Sequence, residues 1–164
     1  MHHEEPIDKP LHVAPLSEAD AREVCAWHYE GEYAVYNIPG WETVVSQRWG
    51  IADEAVRVRE FYSLRNEQGQ LVGFFRLRPQ DHCLLVSLGL KPECCGKGLG
   101  KAVLALIVAE AKRAAPDRRL ELEVRSFNRR AIVCYERFGF SVINTYFKET
   151  PVGNDIFIRM ALIT

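Results

Sequence analysis

The chain has 164 residues, 48% of them hydrophobic, enough to bury the core of one compact domain. Its formal net charge of -1 supplies no overall basic field, so a general role on nucleic acid or on an anionic membrane lacks its electrostatic footprint. No apolar run approaches the roughly 18 residues of a membrane span, and the start MHHEEPIDKP has no apolar signal core, so the chain reads as cytoplasmic.

Five cysteines, Cys25, Cys83, Cys94, Cys95 and Cys134, form no C-x-x-C pair, and an odd count suits a reducing compartment. No histidine has a partner at metal-ligand spacing, so no metal is expected. With no repeat and no low-complexity linker, residues 1–164 read as a single domain, with residues 1–10 set aside as a polar tail that is a candidate for disorder.

In chain order, HVAPL reads as a first strand and SEADAREVCAWHYE as a helix, opened by Ser17 and Asp20 in the manner of a capping box. The stretch GEYAVYNIPGWETVVSQRWG mixes glycine, proline and aromatics around a short helix near Glu42 to Arg48. EFYSLRN and LVGFFRLRP, joined by EQGQ with Gly69, read as a β-hairpin, and HCLLVSLGL is a third strand ended by Pro92. From Gly98 to Ala114 the apolar residues are too dense for a surface helix, which predicts a largely buried one. RRLELEVRS is the next strand, NRRAIVCYERFGF a helix capped by Asn128 and ended by Gly139, and FSVINTYFKE and NDIFIRMALI are two final strands. The order β, α, β, β, β, α, β, α, β, β contains two crossovers, of which the first, from LLVSLGL to LELEV, should set its strands parallel. The expected class is α/β, a mixed sheet with helices on its faces.

Between the third strand and the buried helix, Gly96, Gly98 and Gly100 alternate in PECCGKGLGK. A glycine costs about 0.5–1 kcal/mol relative to alanine within regular structure, so three in five residues point to something that approaches the main chain closely. The loop leads from a strand end to a helix N-terminus, where unpaired amides favour an anion, and a phosphate is the natural occupant. A Walker loop is excluded because Ala102 follows Lys101 where a hydroxyl is needed, and the dinucleotide fingerprint because Lys101 stands where its third glycine belongs. On this stretch alone, a tight strand-to-helix turn with no ligand remains the alternative.

PECCGKGLGKAVL resembles the acyl-CoA pyrophosphate loop of the GNAT superfamily of N-acyltransferases, [QR]-x-x-G-x-[GA], and NRRAIVCYERFGF is similar to its downstream N-x-x-A-x-x-x-Y-x-x-x-G-F motif. The resemblance covers roughly residues 61–162. It departs from the pattern at Cys95, which stands where Gln or Arg is usual. It implies a GNAT-like sheet, mixed and mostly antiparallel, with a central parallel pair and helices on both faces. It also implies that the main chain of Leu88, Gly89 and Leu90 pairs with the pantetheine arm of acetyl-CoA. Cys95, Gly96, Lys97, Gly98, Leu99, Gly100 and Lys101 would hold the pyrophosphate, Asn128 would bond the arm, and Tyr135 would lie near the thioester sulfur. LEVRSFNRRAIVCY further resembles the matching stretch of bacterial ribosomal-protein alanine N-acetyltransferases, which puts a base at Glu123 and an acid at Tyr135.

The residues themselves support such a pair. An alkylamine has a pKa of about 10 and must lose a proton before it attacks, while the departing thiolate is best protonated as it leaves. Tyr135 has a phenol that is protonated at neutral pH; outside the motif it would read as a core aromatic. In LELEVR, Glu121, Glu123 and Arg125 alternate with apolar residues, and Glu123 lies nearer the strand's C-terminal end, where ligands bind in such sheets. The alternatives are a merely charged row, pairing of Glu123 with Arg125 or Arg130, or a base from Glu32, Asp53 or Glu60. An acyl-cysteine at Cys134 lacks a histidine to activate it. Residues 28–58 read as a variable acceptor-side segment; its Tyr29, Tyr33, Tyr36 and Trp41, with Trp27 and the final hairpin, would line a cleft for the amine, a small molecule or a peptide end, or else pack as core or lid. A non-catalytic acyl-CoA sensor and a protein N-terminal or lysine acetyltransferase are the competing readings.

Overall fold

The computed structural model describes residues 10–163. Apart from Pro10, the tail expected over residues 1–10, with His2 and His3, lies outside the described residues. Strands β1 (His12–Pro15), β2 (Phe61–Arg65), β3 (Leu71–Pro79), β4 (Cys83–Leu90), β5 (Arg119–Arg125), β6 (Phe140–Lys148) and β7 (Asp155–Leu162) form a sheet of order β1-β2-β3-β4-β5-β7-β6. The helices are α1 (Glu18–Ala26), α2 (Trp41–Ser46), α3 (Glu54–Glu60), α4 (Gly100–Ala114) and α5 (Arg129–Phe138). β4 and β5 run parallel as expected, from Cys83 opposite Arg119 to Val86 opposite Leu122. The ladder stops there, while β4 continues to Leu90 and β5 to Arg125. β7, the last strand in the chain, pairs antiparallel with both β5 and β6, so the second crossover carries the chain past one strand position. The result is the mixed α/β sheet expected from the order of elements, and mostly antiparallel as the resemblance implies.

The chain divides into two compact units, the first Met1–Phe75 with Leu88–Val103 and the second Arg76–Ser87 with Leu104–Thr164. In the first, Leu16, Ala21, Val24, Cys25, Val44, Ile51, Phe61 and Leu71 form the core. Ser17 accepts the Asp20 amide at 3.1 Å, but the Asp20 carboxylate pairs with Arg65 instead of returning to the cap, so only half of the expected capping box forms. α1 ends at Ala26, four residues short of the reading, because Trp27 turns extended and buries its ring 6.2 Å from that of Phe74. The short helix is present as Trp41–Ser46. α3 was not expected: Asp53 caps it by accepting the Val56 amide at 3.0 Å, and buried Arg57 donates to the Ile51 carbonyl at 3.0 Å. Gly73 and Gly89 meet on neighbouring strands. A Cβ on Gly73 would lie 2.9 Å from the Gly89 carbonyl oxygen, and one on Gly89 would lie 2.7 Å from the Phe74 ring.

In the second unit, Leu120, Leu122 and Val124 face one side of β5 and are buried. The opposite side is covered too, since Glu121 and Arg125 are only 7% and 6% exposed. Glu121 accepts from Arg119 at 2.6 Å and from Arg159 of β7 at 2.7 Å. Burial alone would raise its pKa, but the two guanidinium groups outweigh that and hold the carboxyl below its usual value. Arg159 also reaches Gln80 at 2.9 Å and the Cys83 sulfur at 3.4 Å. Arg125 pairs with Asp155 at 3.3 Å, with Thr150 at 3.2 Å, and lies 4.8 Å from the Phe157 ring centroid. Asn128 caps α5 by accepting the Ala131 amide at 3.2 Å, and Gly139 ends the helix at φ 126.

Candidate active site

In the first unit, β4 ends at Leu90 and a single 3-10 turn, Pro92–Cys94, leads into the loop before α4. Gly96 and Gly98 have φ of 73 and 75, the left-handed region, where a side chain costs roughly 1–2 kcal/mol. Gly100 opens α4 without that requirement. The first amide of the helix bonded within the chain is that of Val103, to the Leu99 carbonyl at 3.0 Å. Among the described residues, the seven consecutive amides from Gly96 to Ala102 donate to no other protein atom. Lys97 and Lys101 are exposed beside them. The helix dipole and unsatisfied donors make this stretch a ready receptor for an anion. Cys95 turns its thiol back toward the carbonyls of Leu90 and Lys91, at 3.7 and 3.6 Å.

Tyr29 fastens the segment that follows α1 to the end of β4. Its hydroxyl donates to the Leu90 carbonyl at 2.5 Å, and Asn37 grips its main chain, accepting the Tyr29 amide at 2.6 Å and donating to its carbonyl at 3.1 Å. Burial, with the electrostatics of Cys95 and Glu93, pushes the phenol well above its ordinary pKa and keeps it a donor. The Leu90 carbonyl is thus engaged internally. Replacing Tyr29 by Phe removes one hydrogen bond and should lower stability by about 1 kcal/mol, a fall in Tm of roughly 2–4 °C by calorimetry. Of the other aromatics assigned to the acceptor side, Trp27 belongs to the core, Tyr33 and Tyr36 stack 6.4 Å apart, and Trp41 carries the Arg22 guanidinium 5.0 Å from its ring.

In the second unit, Glu123 sits one residue pair beyond Glu121 on the same face of β5. Its carboxylate accepts the Tyr146 hydroxyl through Oε2 and the Lys148 ammonium through Oε1 at 3.1 Å, both from β6. Burial first, then the Glu123 carboxylate, pushes the Tyr146 phenol up to about 12, so it stays a proton donor to Glu123. Pairing with Arg125 does not occur, since Arg125 is turned to Asp155. Tyr135 is half-buried on α5 with its ring 6.1 Å from Phe140, edge to face. The Asn128 carboxamide oxygen is committed to the helix cap. Cys134 has its thiol pKa raised by burial, which Arg137 only partly offsets, the opposite of what a cysteine nucleophile needs. Among the described residues no group of three or more His, Cys, Asp or Glu is placed to hold a metal, and no helix is long and apolar enough to cross a membrane.

The family model described as acetyltransferase (GNAT) family matches residues 21–140. The chain belongs to the GNAT acetyltransferase family. Among GNAT relatives, an uncharacterized N-acetyltransferase, YdgE, of Bacillus subtilis (strain 168) is 29% identical over 89 residues, 51% of this chain and 56% of its own length. The mycothiol acetyltransferase of Propionibacterium freudenreichii subsp. shermanii is 34% identical over 86 residues, 49% of this chain and 27% of its own. The matched stretch therefore spans little more than half of the one and about a quarter of the other. The GNAT fold is shared with a spermidine N-acetyltransferase chimera from Vibrio cholerae and hSSAT, at TM-score 0.71, 18% identity and coverage of 93% of this chain and 95% of that one. It is shared also with the ribosomal-protein-S18-alanine N-acetyltransferase of Escherichia coli, at TM-score 0.66, 21% identity and 93% coverage of both chains.

Proposed function

We propose that this GNAT protein is an N-acetyltransferase that moves an acetyl group from acetyl-CoA directly to a primary amine. The observation that carries the reading is the run of amides from Gly96 to Ala102 with no acceptor within the described chain. A diphosphate satisfies such a run, and the left-handed Gly96 and Gly98 curl the backbone so that its amides can converge on it. The β4 main chain beyond Val86, which has left the parallel ladder, is the edge along which Leu88 and Gly89 would pair with an extended arm. Asn128 would bond the same arm through its carboxamide nitrogen. Bound acetyl-CoA supplies an acetyl group activated as a thioester.

The chain's own groups handle the protons. Glu123 is a carboxylate, oriented by Tyr146, that can take a proton from an ammonium, and Tyr135 carries a phenolic proton suited to a departing sulfur. The five cysteines are all free, in keeping with a cytoplasmic enzyme.

Saturating acetyl-CoA should raise the Tm, and a thiol-release assay over a panel of small amines and peptides should find turnover. Gly98→Ala should weaken acetyl-CoA binding by roughly tenfold, because alanine resists the left-handed backbone by about 1–2 kcal/mol. Absence of any thermal shift would overturn the cofactor site; a shift with no turnover on any amine would leave a binding module instead of an enzyme.

A further inference from the structure

An amine already in contact with the proposed base belongs to the chain itself. The Lys148 ammonium lies 3.1 Å from Glu123 Oε1 and 5.3 Å from the centre of the Phe157 ring, so it is held by a carboxylate and an aromatic face. Those are the two elements that recognise a primary alkylammonium. Tyr146 holds the other carboxylate oxygen and so fixes the orientation of Glu123 toward the lysine. The Lys148 side chain is 46% exposed while that of Glu123 is 17% exposed, so the amine is accessible and the carboxylate largely shielded. An ion pair this exposed is weak, and the lysine can leave it at little cost.

We propose that Lys148 is a self-acetylation site of this chain. The inference rests on the reading of Glu123 as base and acetyl-CoA as donor. Glu123 takes a proton from the Lys148 ammonium, and the freed lone pair of Nζ forms a bond to the acetyl carbonyl carbon. The carbon–sulfur bond breaks with its electron pair leaving on sulfur, and nitrogen gives up a second proton as the amide forms. Sulfur takes up one of the two protons and solvent the other, so the products are CoA thiol and Nε-acetyl-lysine. The modified side chain has no charge to return to Glu123 or to Phe157, which leaves the carboxylate clear for an external amine. Self-acetylation is therefore a priming event as well as a modification.

The test is to incubate the full chain with acetyl-CoA and no other amine, then digest it with trypsin and record masses over time. Unmodified chain is cut after Lys148, whereas acetylation blocks that cut and releases Phe138–Arg159 whole, heavier by one acetyl group. Lys112, on α4 and outside the cofactor loop, is exposed and reports uncatalysed chemical acetylation. Lys148 should be labelled roughly tenfold or more faster than Lys112, because it is held against its base. Its rate per chain should not depend on protein concentration, and Glu123→Gln should bring it down to the background set by Lys112. Equal labelling of Lys148 and Lys112, unchanged by Glu123→Gln, would overturn the proposal. A chain that turns over an amine from the panel yet leaves Lys148 unmodified would overturn self-acetylation alone. Transfer to neither would overturn the N-acetyltransferase reading beneath it.

Discussion

Glutamine at position 123 should lower kcat by between about a hundredfold and ten-thousandfold, the range a positioned general base contributes. The substitution keeps the shape of the side chain, and its amide oxygen still accepts the Tyr146 hydroxyl, so folding is expected to be nearly intact. What disappears is a charged acceptor for the ammonium proton. The amides of Gly96 to Ala102 belong to a different part of the chain and are untouched, so the thermal shift produced by acetyl-CoA should match that of the parent. Tyr135→Phe should show the same split, with turnover lowered and cofactor affinity little changed, because the ring stays while the proton for the departing sulfur is removed. Full activity in both variants would move the acid and base to other side chains.

Glu121→Gln should give the largest loss of stability of any single change considered. Glu121 is buried between Arg119 and Arg159, and neutralising it leaves Arg159 without a counter-charge on a covered face of β5. Removing one partner of such a pair costs about 3 kcal/mol or more, and in a chain of this size that is a fall in Tm of roughly 6–12 °C. Replacing Glu121 and Arg159 together by apolar residues of similar volume should recover most of the loss, because the charge left behind, on Arg119, is half exposed and can be solvated. The pH dependence follows from the direction of the shift. The folded carboxyl is held below its ordinary value, so its stabilisation is complete above that ordinary value and disappears as pH falls through the lower, folded one. Chemical denaturation of parent and variant across the acid range should therefore converge at low pH.

The strands and the two long helices were legible because their signals are local. Alternation marks β5, Asn128 and Gly139 bracket α5, and the glycine loop announces itself by composition. α3 escaped because its valines, Val56 and Val58, alternate as in a strand while its cap, Asp53, is a single residue. The overlong reading of α1 failed at Trp27, where burial of a large ring outweighs the helical tendency of the residues that follow. Glu123 was legible as a candidate, but its partners were not. Tyr146 and Lys148 lie on β6, and β7 stands between that strand and β5, an order fixed by pairing and not by adjacency in the chain. The burial of Glu121 was hidden for the same reason, since Arg159 comes from that intervening strand.

The meeting of Gly73 and Gly89 makes the two positions unequal targets for directed evolution. A methyl group at 73 runs into main-chain oxygen, which no change of neighbouring side chain can move aside. At 89 the obstacle is the ring of Phe74, so alanine there becomes tolerable only in company with a smaller residue at 74. Screens that vary one site at a time will score both positions as forbidden; pairwise libraries will open the second and leave the first shut.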